Sequence, residues 1–344
     1  MNKIYDDSFY NSSVKERYLK NQSEPTKVSY GRVLKRASSI EAKLGRDLYD
    51  FNLSEIKQAL LLLKSTKMTT VIATGIIIQN YIRWAIEQDL RVDNINPLDA
   101  VSSDEFYKQF LDTSEPSLFH HENIMKWVKN CINHQDKLAI LGIFEGVYGR
   151  QYSELLTLKM EHVRRITGEP ISYEVELFNE TSEGNKESRI IPITTELYNI
   201  MRVANNEEVN YKNNGLTFEG MRNNKVYLTK TNYIVRGAED SRTKVEGDIP
   251  AAPALINRRI KKISELYQVP TLTPTNIRNS GMLYMAYKLY HESGKLAKDE
   301  YYAICERYNV GRTRDGGYVY ARLKKDFLNM ENLESVYGLE QLIV

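Results

Sequence analysis

The feature that most narrows the folds open to this chain is the period of its apolar residues, which is helical almost everywhere and switches to alternation in one short island. Ile171-Ser-Tyr-Glu-Val-Glu-Leu-Phe178 alternates apolar with polar side chains, and Ser188-Arg-Ile-Ile-Pro-Ile193 is a second, β-branched run. Between them lies the polar stretch Asn179 to Glu187, which contains Gly184. A repeat of two sends successive side chains to opposite faces of a strand, so the island reads as a β-hairpin. Lys225 to Leu228 reads as a third strand. Elsewhere apolar residues recur at three and four, and the class that follows is mainly α with a small β-sheet.

At 344 residues the chain exceeds the usual size of one domain, and two of unequal size are expected. Val28, Val33, Leu34, Ala37, Ile40 and Leu44 mark a helix from Thr26 to Leu44 that Gly45 stops. Asn52, followed three residues later by Glu55, has the form of a capping box opening a helix over Ile56 to Lys64. A third helix runs from about Thr69 to Leu90, and Asn94-Ile-Asn-Pro97 closes an all-helical domain over residues 12–100. Ser102 to Ser117 lacks a strong apolar stripe and reads as a connection holding one short helix. The larger domain, 118–344, is expected to open with helices at His121–Asn133, Leu138–Tyr148 and Tyr152–His162. After the hairpin come helices at Ile256–Leu266, Thr275–His291 and Lys298–Tyr308, then an acidic last one at Glu331–Leu342. Trp84 and Trp127 are expected in the cores.

Composition excludes several classes. With 42% hydrophobic and 27% charged residues, 9 Pro and 18 Gly, the chain is neither disordered nor fibrous. No apolar run reaches the roughly 18 residues that span a bilayer, and the polar, acidic start is unlike a secretory signal. A cytoplasmic protein with no membrane partner is expected. Cys131 and Cys305 lack ligand spacing and read as structural thiols; His120 and His121 lack metal-binding neighbours, so neither metal nor cofactor is expected. A net charge of +2 says little about partners, but its distribution says more. Leu255 to Lys325 holds 14 Lys/Arg against 6 Asp/Glu, while Asp326 to Val344 holds four acids and no base. Such a local field either solvates helix faces or meets phosphates.

The order of the motifs decides between these. Thr26 to Leu48, Leu53–Leu63, Thr69–Asp89 and Asn94-Ile-Asn-Pro97, then Gly149-Arg-Gln-Tyr-Ser-Glu-Leu-Leu-Thr-Leu158, the strand Ser188-Arg-Ile-Ile-Pro192, Thr275-Asn-Ile-Arg278 and Tyr318-Val-Tyr320 together resemble the tyrosine recombinases, or phage integrases, over almost the whole chain. The resemblance implies a helical, SAM-like core-binding domain and a mixed α+β catalytic-type domain forming a clamp on double-stranded DNA. It also implies the chemistry to look for. Two arginines and His-type donors hold the scissile phosphate, a hairpin lysine protonates the leaving oxygen, and a tyrosine attacks phosphorus. Here Gln151 stands at the first arginine, with Arg150 adjacent and about 100° away on a helix, so that Arg150 substitutes only if the turn is rebuilt. Thr275 stands where His is expected, Arg278 is retained, and Gly311 falls at the later His or Trp. Lys186 and Tyr320, or Tyr318, fill the lysine and nucleophile places, although 24 tyrosines make such a match cheap.

No catalytic residue is therefore expected, and Gln151, Lys186, Thr275, Arg278, Gly311 and Tyr320 are vestigial positions. Binding survives such losses, because phosphate affinity sums over many Lys and Arg contacts. The DNA-facing set expected in the larger domain is Arg278, Arg150, Lys186, Arg189, Arg258, Arg259, Arg312 and Arg314. In the smaller it is Lys67, Thr69 and Thr70 at a helix start, with Lys27, Lys35 and Arg36. The function expected is a sequence-specific regulator of the kind that the recombinase-like repressors of SPβ-like Bacillus prophages represent. An active recombinase using Arg150 and Tyr320, and a non-catalytic architectural subunit, are the rivals. The last helix, Leu333–Leu342, docks either on a second copy or partner, or on its own domain.

Overall fold

Helix punctuation organises the first of two units into which the chain divides, Met1–Glu115 and Pro116–Val344. The computed structural model describes residues 8–114, 116–180, 184–239 and 248–339. Helix α1 (Ser12–Leu19) precedes α2 (Glu24–Leu44), which stops where Gly45 adopts a left-handed φ of 67°. Asn52 caps α3 (Leu53–Leu61): its side chain accepts the Glu55 N–H at 3.1 Å, and the Glu55 carboxylate accepts the Asn52 N–H at 2.9 Å. Then come α4 (Met68–Glu87) and the short α5 (Asp104–Lys108). Their apolar stripes meet in one core around Leu34, Phe51, Ile56, Ile78 and Tyr81. The one short helix expected in the connecting stretch is α5, and Phe106, Tyr107 and Phe110 join that core, so this part of the stretch is packed structure. Three aromatics within five positions make no stripe, yet bury much area. Gly75 allows the contact, since a Cβ there would lie 2.3 Å from the Tyr107 ring.

This unit also buries an ion cluster. Lys15 Nζ lies 2.6 Å from Glu41 Oε1 and 3.3 Å from Asp47 Oδ2, and donates to the Tyr10 carbonyl at 2.7 Å. The Tyr81 hydroxyl donates to Asp47 at 2.9 Å. Burial outweighs the attraction of Lys15 and pushes the Glu41 carboxyl up to about 7.

In the second unit α6 (His121–Asn130) and α7 (His134–Phe144) are followed by a broken segment. The single helix expected over 152–162 is instead a four-residue α8 (Ser153–Leu156) between two 3₁₀ turns, because Gln151 and Tyr152 take left-handed φ values of 50° and 65°. Strands β1 (Val163–Ile166), β2 (Ser172–Glu180) and β3 (Lys186–Ile193) form an antiparallel sheet in that order, with Val175 opposite Val163 and Ile191. The hairpin is present; residues 181–183 of its turn lie outside the described residues. After α9 (Thr195–Asn206), β4 (Val209–Tyr211) pairs with β5 (Lys225–Tyr227) in a separate ladder, so the third expected strand does not join the hairpin.

Helices α10 (Ala254–Leu266), α11 (Pro274–Ser293), α12 (Lys298–Arg307), α13 (Tyr320–Asp326) and α14 (Met330–Tyr337) complete the unit. Helix α7 is its buried axis, with Leu138, Ile140 and Ile143 packed among Val175, Ile191, Leu197, Ile260 and Ile277. Gly281 lets α11 close on it, for a Cβ there would fall 1.9 Å from the Phe144 carbonyl oxygen. Trp127 is buried in this core, and Trp84 is half-buried beside Tyr18 and Tyr81 in the other. Both cysteines are buried. Leu333 of α14 is buried with Leu328 and Met282, and Tyr337 stacks on Tyr287 at 4.4 Å. Over 330–337 the last helix thus packs on its own domain; 340–342 of the expected span lie outside the described residues. No helix among the described residues is long and apolar enough to cross a membrane.

Candidate nucleic-acid interface

The turn that opens α8 is rebuilt around glycine. Gly149 has φ 67°, and a Cβ on it would meet Ser153 Oγ at 2.5 Å. The Arg150 N–H and the Ser153 hydroxyl both donate to Asn179 Oδ1, at 2.8 and 2.9 Å, fastening the turn to β2. Arg150 and Gln151 are exposed. Glu154 points inward instead, with no exposed side chain, and receives Arg189 bidentately: Nε donates to Oε1 at 2.7 Å and Nη2 to Oε2 at 2.8 Å. Arg189 also donates to the carbonyls of Gly146, Glu306 and Arg307 at 2.9, 3.2 and 2.7 Å. Its fork is fully engaged by protein, which corrects the expectation that Arg189 faces DNA. The strand register gives the reason. Arg189 pairs with Leu177 and shares the core face with Ile191, whereas Lys186 pairs with Glu180 on the other face and is exposed.

Arg278 is placed by α11. Thr273 caps that helix by accepting the Asn276 N–H at 3.2 Å, Pro274 occupies its first turn, and Thr275 is exposed. Arg278 is half-buried: Nη2 donates to the Tyr308 carbonyl at 2.5 Å, and Cζ lies 5.2 Å from the centre of the Tyr148 ring. Its Nε is sealed from solvent with no acceptor. Desolvation draws its pKa below the ordinary arginine value, and the nearby Arg189 acts in the same direction. Arg307, which the sequence did not single out, is close by. It donates to the Glu145 carbonyl at 2.8 Å and to the Pro192 carbonyl, and its Nη2 lies 3.8 Å from Glu145 Oε2. Three arginines thus gather where α12 ends. Arg189 and Arg307 each tie several segments of backbone together, whereas Arg278 donates to one carbonyl, that of Tyr308.

The tyrosines are not beside it. Tyr320 stacks on Tyr301 at 5.0 Å and 19° and meets Tyr302 edge-on at 5.8 Å. Those two rings belong to the first half of α12, whereas Arg278 holds Tyr308, six to seven residues or roughly 9–10 Å of helix further on. Tyr318 is likewise occupied, its hydroxyl accepting from Arg312 at 2.8 Å. Gly311 is exposed and offers no donor.

Of the basic cluster on α10, Arg258 is exposed, but Arg259 is buried. Its guanidinium donates to Asp136 at 2.6 Å, Asn210 at 2.9 Å and the Arg236 carbonyl at 2.9 Å. Arg259 shares the helix face of Ile256, Ile260 and Ile263, so its assignment to DNA is corrected. Arg312 and Arg314 are exposed. In the first unit Lys67 is the N-cap of α4, with Thr69 and the exposed Thr70 in its first turn. Lys27 pairs with Glu24 at 2.6 Å, Lys35 lies 5.5 Å from the Phe9 ring, and Arg36 is half-buried with Nε sealed and unpartnered. His121 stacks on Tyr284 at 4.3 Å, and His120 meets Tyr337 at a tilt of 44° with ring centres 4.7 Å apart.

These observations define a two-domain protein, a helical unit joined in sequence to a mixed unit that carries a β-hairpin and an arginine cluster. Comparison with known families specifies it further. The chain belongs to the MrpR family: residues 9–87 match its N-terminal core-binding domain and residues 118–338 its C-terminal catalytic domain. It is 27% identical over 331 residues to the SPbeta prophage-derived uncharacterized protein YopR of Bacillus subtilis (strain 168), covering 96% of this chain and 97% of that one. Among solved structures it is similar to a lambda integrase(75-356) dimer bound to a COC' core site, at 14% identity and TM-score 0.41 over 89% of this chain and 98% of that one. It is also similar to XerA recombinase, at 11% identity and TM-score 0.39 over 96% and 99%. Both superpose loosely, and the family rests on the domain matches.

Proposed function

We propose that this chain is a sequence-specific regulator that holds double-stranded DNA without cutting it, a repressor of prophage type. The observation that carries the reading is the unequal state of the expected phosphate ligands. Arg278 is desolvated, braced by Tyr148 and Tyr308, and has donors to spare. Gln151, Thr275 and Gly311 supply no charge, Arg189 is consumed by Glu154, and Tyr320 is stacked elsewhere. One guanidinium positions a phosphate. Cleavage demands several preorganised donors at the same oxygens, and each missing one costs about 3 kcal/mol of barrier.

One observation favours a second reading, residual strand cleavage. The turn at Gln151 and Tyr152 is rebuilt, which is the condition under which Arg150 replaces the missing arginine. A nicked suicide duplex separates the two. The regulator gives no covalent adduct, and wild type and Tyr320→Phe bind with the same affinity; an adduct that disappears in Tyr320→Phe establishes the recombinase instead. Sites mapped across a genome would then cluster at promoters for a regulator and at one attachment locus for a recombinase.

A further inference from the structure

Between α12 and α13, residues 311–319 form a tight β-hairpin. The Val319 N–H donates to the Gly311 carbonyl at 3.0 Å and the Thr313 N–H to the Gly317 carbonyl at 2.7 Å. Gly316 closes the turn with φ 84°. Arg312 and Tyr318 face each other across the ladder, and their side chains lock: Cζ of Arg312 lies 4.4 Å from the Tyr318 ring centre, Nη2 donates to its hydroxyl at 2.8 Å, and Nη1 donates to the Gly316 carbonyl at 3.2 Å. Tyr302 of α12 supports Tyr318 edge-on at 5.2 Å. Arg314 stands exposed at the tip and makes no ion pair among the described residues. From Gly311 to Lys325 the sequence carries five Lys/Arg against one acid.

Ordering the tip of a solvent loop costs backbone entropy at every residue, and here an arginine, a tyrosine and two glycines are spent on doing so. What the brace delivers is a rigid two-stranded ribbon with one unpaired guanidinium at its end, in a cationic stretch. The major groove of B-DNA admits a β-ribbon, and an arginine fork matches the O6 and N7 acceptors of guanine. We infer that this hairpin is a base-reading element: Arg314 contacts a base edge in the major groove of duplex DNA, and Arg312 with Tyr318 positions it. The inference rests on the reading of the chain as a sequence-specific DNA binder.

The test is selection of a randomised duplex library by the full-length protein, its Arg314→Ala variant and its Tyr318→Leu variant. Wild type is expected to enrich a motif. Arg314→Ala should keep that motif except at one or two neighbouring base pairs, where discrimination falls about 5- to 150-fold. Tyr318→Leu should weaken preference at the same positions, since it removes the brace and not the reader. If Arg314→Ala enriches the wild-type motif at every position, the inference is overturned, whether affinity is unchanged or falls uniformly as for a phosphate contact. If wild type itself enriches no motif, sequence-specific recognition fails, and the role of the hairpin with it.

Discussion

Replacing Arg278 by alanine should weaken DNA binding in a way that reveals what kind of contact was lost. Among the described residues the guanidinium donates to the Tyr308 carbonyl, and its Nε has no acceptor. A charge-assisted hydrogen bond to a phosphate is worth about 1.5–3 kcal/mol, so affinity should drop roughly 10- to 150-fold. Loss of one neutralised phosphate should also make the plot of log K against log salt shallower by about 0.9. Folding should suffer little. The variant forfeits the contact with Tyr148 and the bond to the Tyr308 carbonyl but also removes a sealed Nε that has no acceptor among the described residues, and these effects oppose each other. Fluorescence anisotropy on a duplex selected by the wild-type protein, read across a salt series, measures both quantities. Arg278→Lys should retain the slope while losing part of the affinity, because charge persists and the fork does not. Overlapping plots for wild type and Arg278→Ala would refute the assignment. Parallel plots would refute it as well, since they describe a change of shape and not of charge.

Three other perturbations probe the frame that holds this site. Arg189→Met strands the fully buried Glu154 carboxylate and should cost about 3–5 kcal/mol in thermal unfolding; an unaltered midpoint would mean that the pair is not buried. Lys15→Met should destabilise the first unit by a similar 3–5 kcal/mol at pH 8, and by less at pH 5, where the raised Glu41 carboxyl is protonated; equal losses at both pH values would contradict the cluster. His121 is held below its ordinary pKa by burial, with His120 and Lys288 adding repulsion, so its contribution to stability is present above pH 6.5 and lost as pH falls through the lower folded value. His121→Phe, which keeps a ring on Tyr284, should flatten that part of the stability profile, and a profile parallel to wild type would exclude His121 as its source.

What the sequence made legible was whatever depends on local pattern. The stop at Gly45, the box at Asn52 and Glu55, the hairpin at 172–193 and the start of α11 after Thr273 all follow from a few adjacent residues. The short helix expected between Ser102 and Ser117 is present as α5, but its burial was not legible, because the packing of Phe106, Tyr107 and Phe110 depends on the close approach that Gly75 permits, which no periodicity encodes. The break at 150–152 was foreseen only as a condition for Arg150, since nothing in Gln-Tyr announces a left-handed backbone. Among the arginines, charge was visible and direction was not. Arg189 and Arg259 look like surface cations in a list of residues, and both turn inward because strand parity and helix phase put them on core faces. The signal was there in Ile191 and in Ile256, Ile260 and Ile263, and a stricter reading of face would have found it.

On the reading proposed above, the inward arginines explain how a pocket can lose its chemistry and keep its place. Arg189 joins α8, β3 and the end of α12 through Glu154 and three carbonyls, and Arg307 joins α12 to α7 and β3. These bonds hold the backbone at Glu306 and Arg307, next to the Tyr308 carbonyl that accepts from Arg278. None of them needs a histidine at Thr275, a side chain at Gly311 or a free hydroxyl at Tyr320. Positioning of one phosphate ligand is therefore separable from the donors that would polarise the phosphodiester. On the proposed reading, that separation lets binding persist as a sum over distributed cations while catalysis, which depends on several groups meeting at one atom, fails with the loss of any few.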